Sequence, residues 1–84
     1  MIMSHLDRLR AVFRMALNLP ADADVDGLEY RAIPQWDSLA HMALIAAMED
    51  EFSIMIDTDE MIDMSSFAEA SGLLEKHGIG AAAL

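Results

Sequence analysis

Along SHLDRLRAVFRMALNL, residues 4–19, the apolar positions Leu6, Leu9, Val12, Phe13, Ala16 and Leu17 recur three and four residues apart. Asp7, Arg8, Arg10 and Arg14 fall mostly between them. That period is one face of an α-helix and predicts a first helix from about Ser4 to Leu17, with Ser4 and Asp7 spaced as a capping box that uses the shorter acid. Pro20 ends the pattern. PADADVDGLEYRAIPQW, residues 20–36, mixes Pro, Gly and Asp with isolated apolar residues, the composition of a long ordered loop, which Leu28, Ile33 and Trp36 should tether to the core. In QWDSLAHMALIAAMEDEF, residues 35–52, Asp37 has the chemistry of an N-cap. This places Ser38 at the first position of a second helix that ends near Phe52. SIMIDTDEMIDMSS, residues 53–66, predicts an extended apolar patch and a short helix from Thr58 to Met64. Ser65 or Ser66 then caps a last helix whose apolar side is Phe67, Ala70, Leu73 and Leu74, and Gly78 stands where a left-handed C-cap belongs. The expected fold is all-α, a small bundle of three longer helices plus one short third helix, with a long loop between the first two.

At about 100° per residue, Leu44, Ile45, Met48 and Phe52 gather into an arc wide enough to be the core stripe of the second helix. Leu39, Met42 and Ala46 lie on the other side, close in projection to Glu49 and Asp50. This core does not need them. Either the short third helix or the long loop covers them, or they form a partner-docking patch with an acidic border. His41 falls at the top of the core arc and reads as a partly buried structural histidine; with no third group to orient its imidazole, it makes no hydrolytic pair with Ser38. Ser38 itself lies in the first turn, where unpaired backbone N–H groups and the helix dipole favour a phosphate. Asp followed by Ser is also ordinary helix-starting chemistry, so local physics permits a phosphate there without requiring one.

Composition narrows the picture. The 84 residues hold one domain, 1–84, and 55% are hydrophobic with eight Met and few aromatics, as in an adaptable aliphatic core. The formal charge is −10, with Arg8, Arg10 and Arg14 near the start and only Arg31 and Lys76 among the remaining fourteen carboxylates. Nucleic acid and anionic membrane are therefore not the expected partners. Docking onto basic protein surfaces, with salt-sensitive on-rates, suits the charge better. The chain has no Cys, which leaves no disulfide, thiolate metal site or cysteine nucleophile. Its longest uncharged apolar run, Leu39 to Met48, is too short for membrane insertion. No basic segment joined to an apolar one and a cleavage site opens it, so a cytoplasmic monomer is expected.

These motifs together resemble the acyl carrier protein and peptidyl carrier protein family. The resemblance covers nearly the whole chain: an amphipathic first helix, a long loop, DSL opening a helix that ends MEDEF, an IMID segment with a short acidic helix, then SSFAEASGLLEKHG. In that family the Ser of DSL carries 4'-phosphopantetheine through a phosphodiester, which implies Ser38 here. It further implies a non-enzymatic phosphoprotein that holds thioesters for biosynthesis and meets a phosphopantetheinyl transferase, acyl- or aminoacyl-loading enzymes and acyl-transferring enzymes. Asp37, Leu39, Met42, Ala46 and Glu49 would be the docking residues. Where fatty-acid carriers usually continue with acidic residues on the exposed face, this chain has Ala40 and Ala43, and Trp36 replaces the small residue often found before DS. Both departures favour a specialised secondary-metabolite, aminoacyl or surface-glycan pathway over housekeeping fatty-acid synthesis. The alternative is an acidic helical adaptor that docks through Leu39 and Met42 without modification.

DADVDGLEYRAI, residues 22–33, begins as a calcium loop does, with Asp22, Asp24, Asp26 and Gly27 in the first, third, fifth and sixth places. The eighth place is Glu29 instead of an apolar residue, the twelfth is Ile33 instead of a bidentate acid, and Pro34 follows. A solvated acidic loop is the expectation, with no metal site.

Overall fold

The computed structural model describes residues 4–80 and contains α1 (His5–Ala16), α2 (Ser38–Phe52), α3 (Thr58–Asp63) and α4 (Phe67–Lys76). The fold is the expected all-α bundle of three longer helices and one short one, with the long loop between α1 and α2. No strand forms among the described residues. One isolated antiparallel bridge joins Glu29 to Ser66, with Tyr30 N–H donating to the Ser65 carbonyl at 2.8 Å and Phe67 N–H to that of Leu28 at 3.0 Å.

Each helix starts on an oxygen-bearing cap. Ser4, Asp37, Asp57 and Ser66 accept the N–H three residues on, satisfying a donor that the first turn leaves without a helical partner. Only α3 has the reciprocal capping box, between Asp57 and Glu60. At α1 the Asp7 carboxylate accepts from Arg10 Nη1 at 2.8 Å instead, because an aspartate is one methylene shorter than the glutamate that reaches back in that motif. After α4, Gly78 takes φ +85°, a conformation in which a side chain would be strained.

The core joins Leu9, Val12, Phe13 and Leu17, the α2 arc of Leu44, Ile45, Met48 and Phe52, and the α4 side of Phe67, Ala70, Leu73 and Leu74. Leu6 and Ala16, expected on the same α1 face, are only half-buried. The loop contributes more than a tether. Trp36 is fully buried, with the Phe13 ring edge-on at 5.4 Å, and Val25, which carries no periodic signal, is also fully buried. Leu28 and Ile33 pack against this core half-exposed. Arg8, early in α1, pairs with Glu51 late in α2 at 2.8 Å, whereas Phe13 meets Trp36 just before α2 begins. The two helices therefore run antiparallel.

No residue of α3 is fully buried. It is fastened by polar contacts: Glu60 accepts from Lys76 at the end of α4 and pairs with His77, the C-cap of that helix, and Glu49 Oε2 accepts the Ile56 N–H at 2.9 Å. No helix among the described residues is long and apolar enough to cross a membrane.

Candidate functional site

Six residues, 32–37, lie between Arg31 and Ser38, but this segment folds back on itself and brings the two together. Arg31 N–H donates to the Trp36 carbonyl at 3.1 Å and Trp36 N–H to that of Ile33 at 3.1 Å. The buried indole anchors this turn, and Arg31 closes it in the left-handed region at φ +66°, which is uncommon for a residue with a side chain. The result brings residues 30 and 31 over the first turn of α2. The Tyr30 hydroxyl lies 3.0 Å from Ser38 Oγ, and Arg31 Nη2 donates to the same oxygen at 3.5 Å. The Arg31 guanidinium also lies 5.4 Å from the Tyr30 ring centre. Hydrogen bonding to Ser38, then to Arg31, holds the Tyr30 hydroxyl below its usual pKa, as donors and a cation favour a phenolate.

Ser38 is exposed and does not cap its helix. Asp37 does so, its Oδ1 accepting the Ala40 N–H at 2.9 Å. Leu39 and Met42 are 80% and 57% exposed, and Ala46 is exposed as well; neither α3 nor the loop covers them. Glu49, on the same side, is half-buried and engaged with Ile56 N–H, while Asp50 is exposed.

His41 is half-buried, and both its ring nitrogens are occupied. Trp36 Nε1–H donates to Nδ1 at 3.0 Å, and Nε2 meets the Met61 carbonyl at 2.9 Å. The indole can only donate and the carbonyl only accept, which assigns the imidazole proton to Nε2. This histidine links the loop to α3 and has no nitrogen turned to Ser38.

Beside Ser38, a groove of about 330 Å³ opens between α2 and α3, lined by Tyr30, His41, Met42, Met61, Ile62 and Met64 among others. Its walls are mostly apolar, with the Ser38 hydroxyl at one edge. Sequence reasoning identified Ser38, Asp37, Leu39 and Met42, and did not identify Tyr30, Arg31 or the α3 wall. The available signal was slight: Arg31 is the single basic residue between Arg14 and Lys76.

The loop that began as a calcium pattern uses its acids internally. Both Asp26 oxygens accept from the Arg10 guanidinium, at 2.8 and 2.9 Å, and Asp24 Oδ1 accepts the Asp26 N–H. Arg10 holds the Asp26 carboxyl below the usual carboxylate range. Among the described residues, no three His, Asp or Glu side chains are gathered as a metal ion would need.

No protein-family model matches the chain, and no curated protein matches it.

Proposed function

We propose that this chain is a carrier protein, with Ser38 as the attachment point for 4'-phosphopantetheine taken from coenzyme A and with Leu39, Met42 and Ala46 as a face for partner enzymes. The observation that carries the reading is an exposed hydroxyl at the first position of α2 that has no capping duty, because Asp37 already performs it. Ordinary helix-starting chemistry accounts for Asp37 and leaves Ser38 over. The groups around the hydroxyl suit a phosphodiester: a phenol and a guanidinium adjoin it, and the nearest carboxylate, Asp37, is turned to a backbone N–H. The helix N-terminus adds a favourable field for an anion.

When attached, the prosthetic group supplies the thiol that this Cys-free chain lacks, on which a cargo is held as a thioester. Ser38 Oγ forms the bond to phosphorus, the pyrophosphate of coenzyme A breaks with adenosine 3',5'-bisphosphate leaving, and the hydroxyl proton passes to the transferase. The chain then performs no bond-making of its own. Tethering raises the effective concentration of the cargo at the active sites of acyl- or aminoacyl-loading and acyl-transferring enzymes. His41, with both nitrogens engaged, is not placed to act as a base for Ser38, which argues against a hydrolase. The family resemblance of the DSL motif supports the same assignment, and Ala40 and Ala43 favour a specialised pathway in the cytoplasm.

Incubation with coenzyme A and a broad-specificity phosphopantetheinyl transferase, followed by intact mass, tests the reading. The expected result is a gain of one phosphopantetheine that Ser38→Ala abolishes, and no gain with several transferases rules it out. Exposure of Leu39 and Met42 alone would equally serve an unmodified helical adaptor, for which Ser38→Ala would leave partner binding intact.

A further inference from the structure

The Tyr30 ring packs against Trp36 and His41, but packing does not account for its hydroxyl and the Arg31 guanidinium both being turned to Ser38. Of the five basic side chains, Arg8 pairs with Glu51, Arg10 with Asp7 and Asp26, and Lys76 with Glu60, while Arg14 Nε donates to the Ala23 carbonyl. Arg31 is in no salt bridge among the described residues; its guanidinium reaches toward a neutral hydroxyl at the outer limit of a hydrogen bond. A planar fork of donors matches an anion with several oxygens far better than a single hydroxyl.

We propose that Tyr30 and Arg31 are positioning residues that receive the phosphodiester formed on Ser38, the phenol donating to it and the guanidinium balancing its charge. The proposal rests on the carrier reading above. Phosphorus would sit one bond from Ser38 Oγ and the unesterified oxygens two, so groups at 3.0 and 3.5 Å from Oγ can reach those oxygens by small side-chain rotations. Esterification also removes the Ser38 proton. In the free hydroxyl either partner can donate, but against the ester only Tyr30 can, so attachment assigns the phenol as donor. The chain already carries a formal charge of −10, and a further anion beside Asp37 needs a local cation that is not committed elsewhere. The lowered pKa of Tyr30 reflects the same surroundings, which favour negative charge.

Tyr30 is the only tyrosine and Trp36 does not titrate, so tyrosinate absorbance reports this one phenol. The test compares the apo protein with the product of coenzyme A and a transferase, checked by mass, and follows the phosphorus-31 resonance of the product over the same pH range. A phosphodiester beside Tyr30 disfavours the phenolate, so its midpoint should rise on attachment. The phosphorus resonance should move with that same midpoint, lose the inflection in Tyr30→Phe and shift at neutral pH in Arg31→Gln. A phosphorus resonance flat through the Tyr30 midpoint, or unchanged by Arg31→Gln, overturns the proposal while the mass gain leaves the carrier reading standing. Absence of any mass gain on the wild-type chain overturns both.

Discussion

Trp36 is the residue on which the site depends most. Its ring is fully buried, edge-on to Phe13 and to Tyr30 and stacked with His41, and its one polar atom is satisfied by His41 Nδ1. Removing a partner from a buried donor costs about 1–3 kcal/mol, more than the net value of the bond itself. His41→Ala is therefore expected to lower stability by about 2 kcal/mol, measured by urea unfolding followed through Trp36 emission. A loss under about 0.5 kcal/mol, the usual scale of an inconsequential surface change, would mean that the indole finds another acceptor. The Trp36 indole and carbonyl together hold the turn that carries Arg31 to Ser38.

At the scale of elements, α3 differs from its neighbours because it is attached by charge and hydrogen bonds. Glu60 makes two of these contacts, to Lys76 and His77, and also closes the α3 capping box. The backbone N–H of Asp57 first, then Lys76 and His77, bring its carboxyl down from the ordinary 4.5 to about 2. A folded-state pKa below the unfolded one gives stability that is fully present above about pH 4.5 and is lost as pH falls toward 2. Glu60→Gln retains an acceptor for the Asp57 N–H, since glutamine also serves in a capping box, and removes the charge that faces Lys76 and His77. The variant should be less stable than wild type at neutral pH, and the gap should close on acidification through that window, as urea midpoints at a series of pH values would record. A gap independent of pH would mean that the carboxylate charge contributes nothing.

Over the whole molecule, the three arginines of α1 are engaged by Glu51, Asp26 and the Ala23 carbonyl. The exposed surface is thereby left largely to carboxylates, with Leu39 and Met42 as an apolar interruption on α2. Introducing charge into that interruption separates folding from the proposed docking. Leu39→Glu with Met42→Glu should leave the unfolding midpoint within about 0.5 kcal/mol of wild type, as expected for exposed positions. It should also reduce kcat/KM for the proposed phosphopantetheinylation by at least about tenfold, the factor that accompanies 1.4 kcal/mol of lost recognition. Unchanged kinetics would remove these two residues from the proposed docking face.

Apolar periodicity and cap chemistry act within a few residues of one another, and so the sequence alone specifies the four helices, the caps Ser4 and Asp37, and the inward sides of α1, α2 and α4. Leu44, Ile45, Met48 and Phe52 were legible in this way, as was the placing of Asp37 before Ser38. That Leu39 and Met42 stay uncovered, that Val25 is buried and that Tyr30 and Arg31 meet Ser38 follows from the folded arrangement alone. These depend on a loop without a period, whose path is set by the burial of Trp36 and by single hydrogen bonds to Ser65 and Trp36 carbonyls. A local pattern cannot encode such contacts, since the partners lie on separate elements and come together only when the core closes.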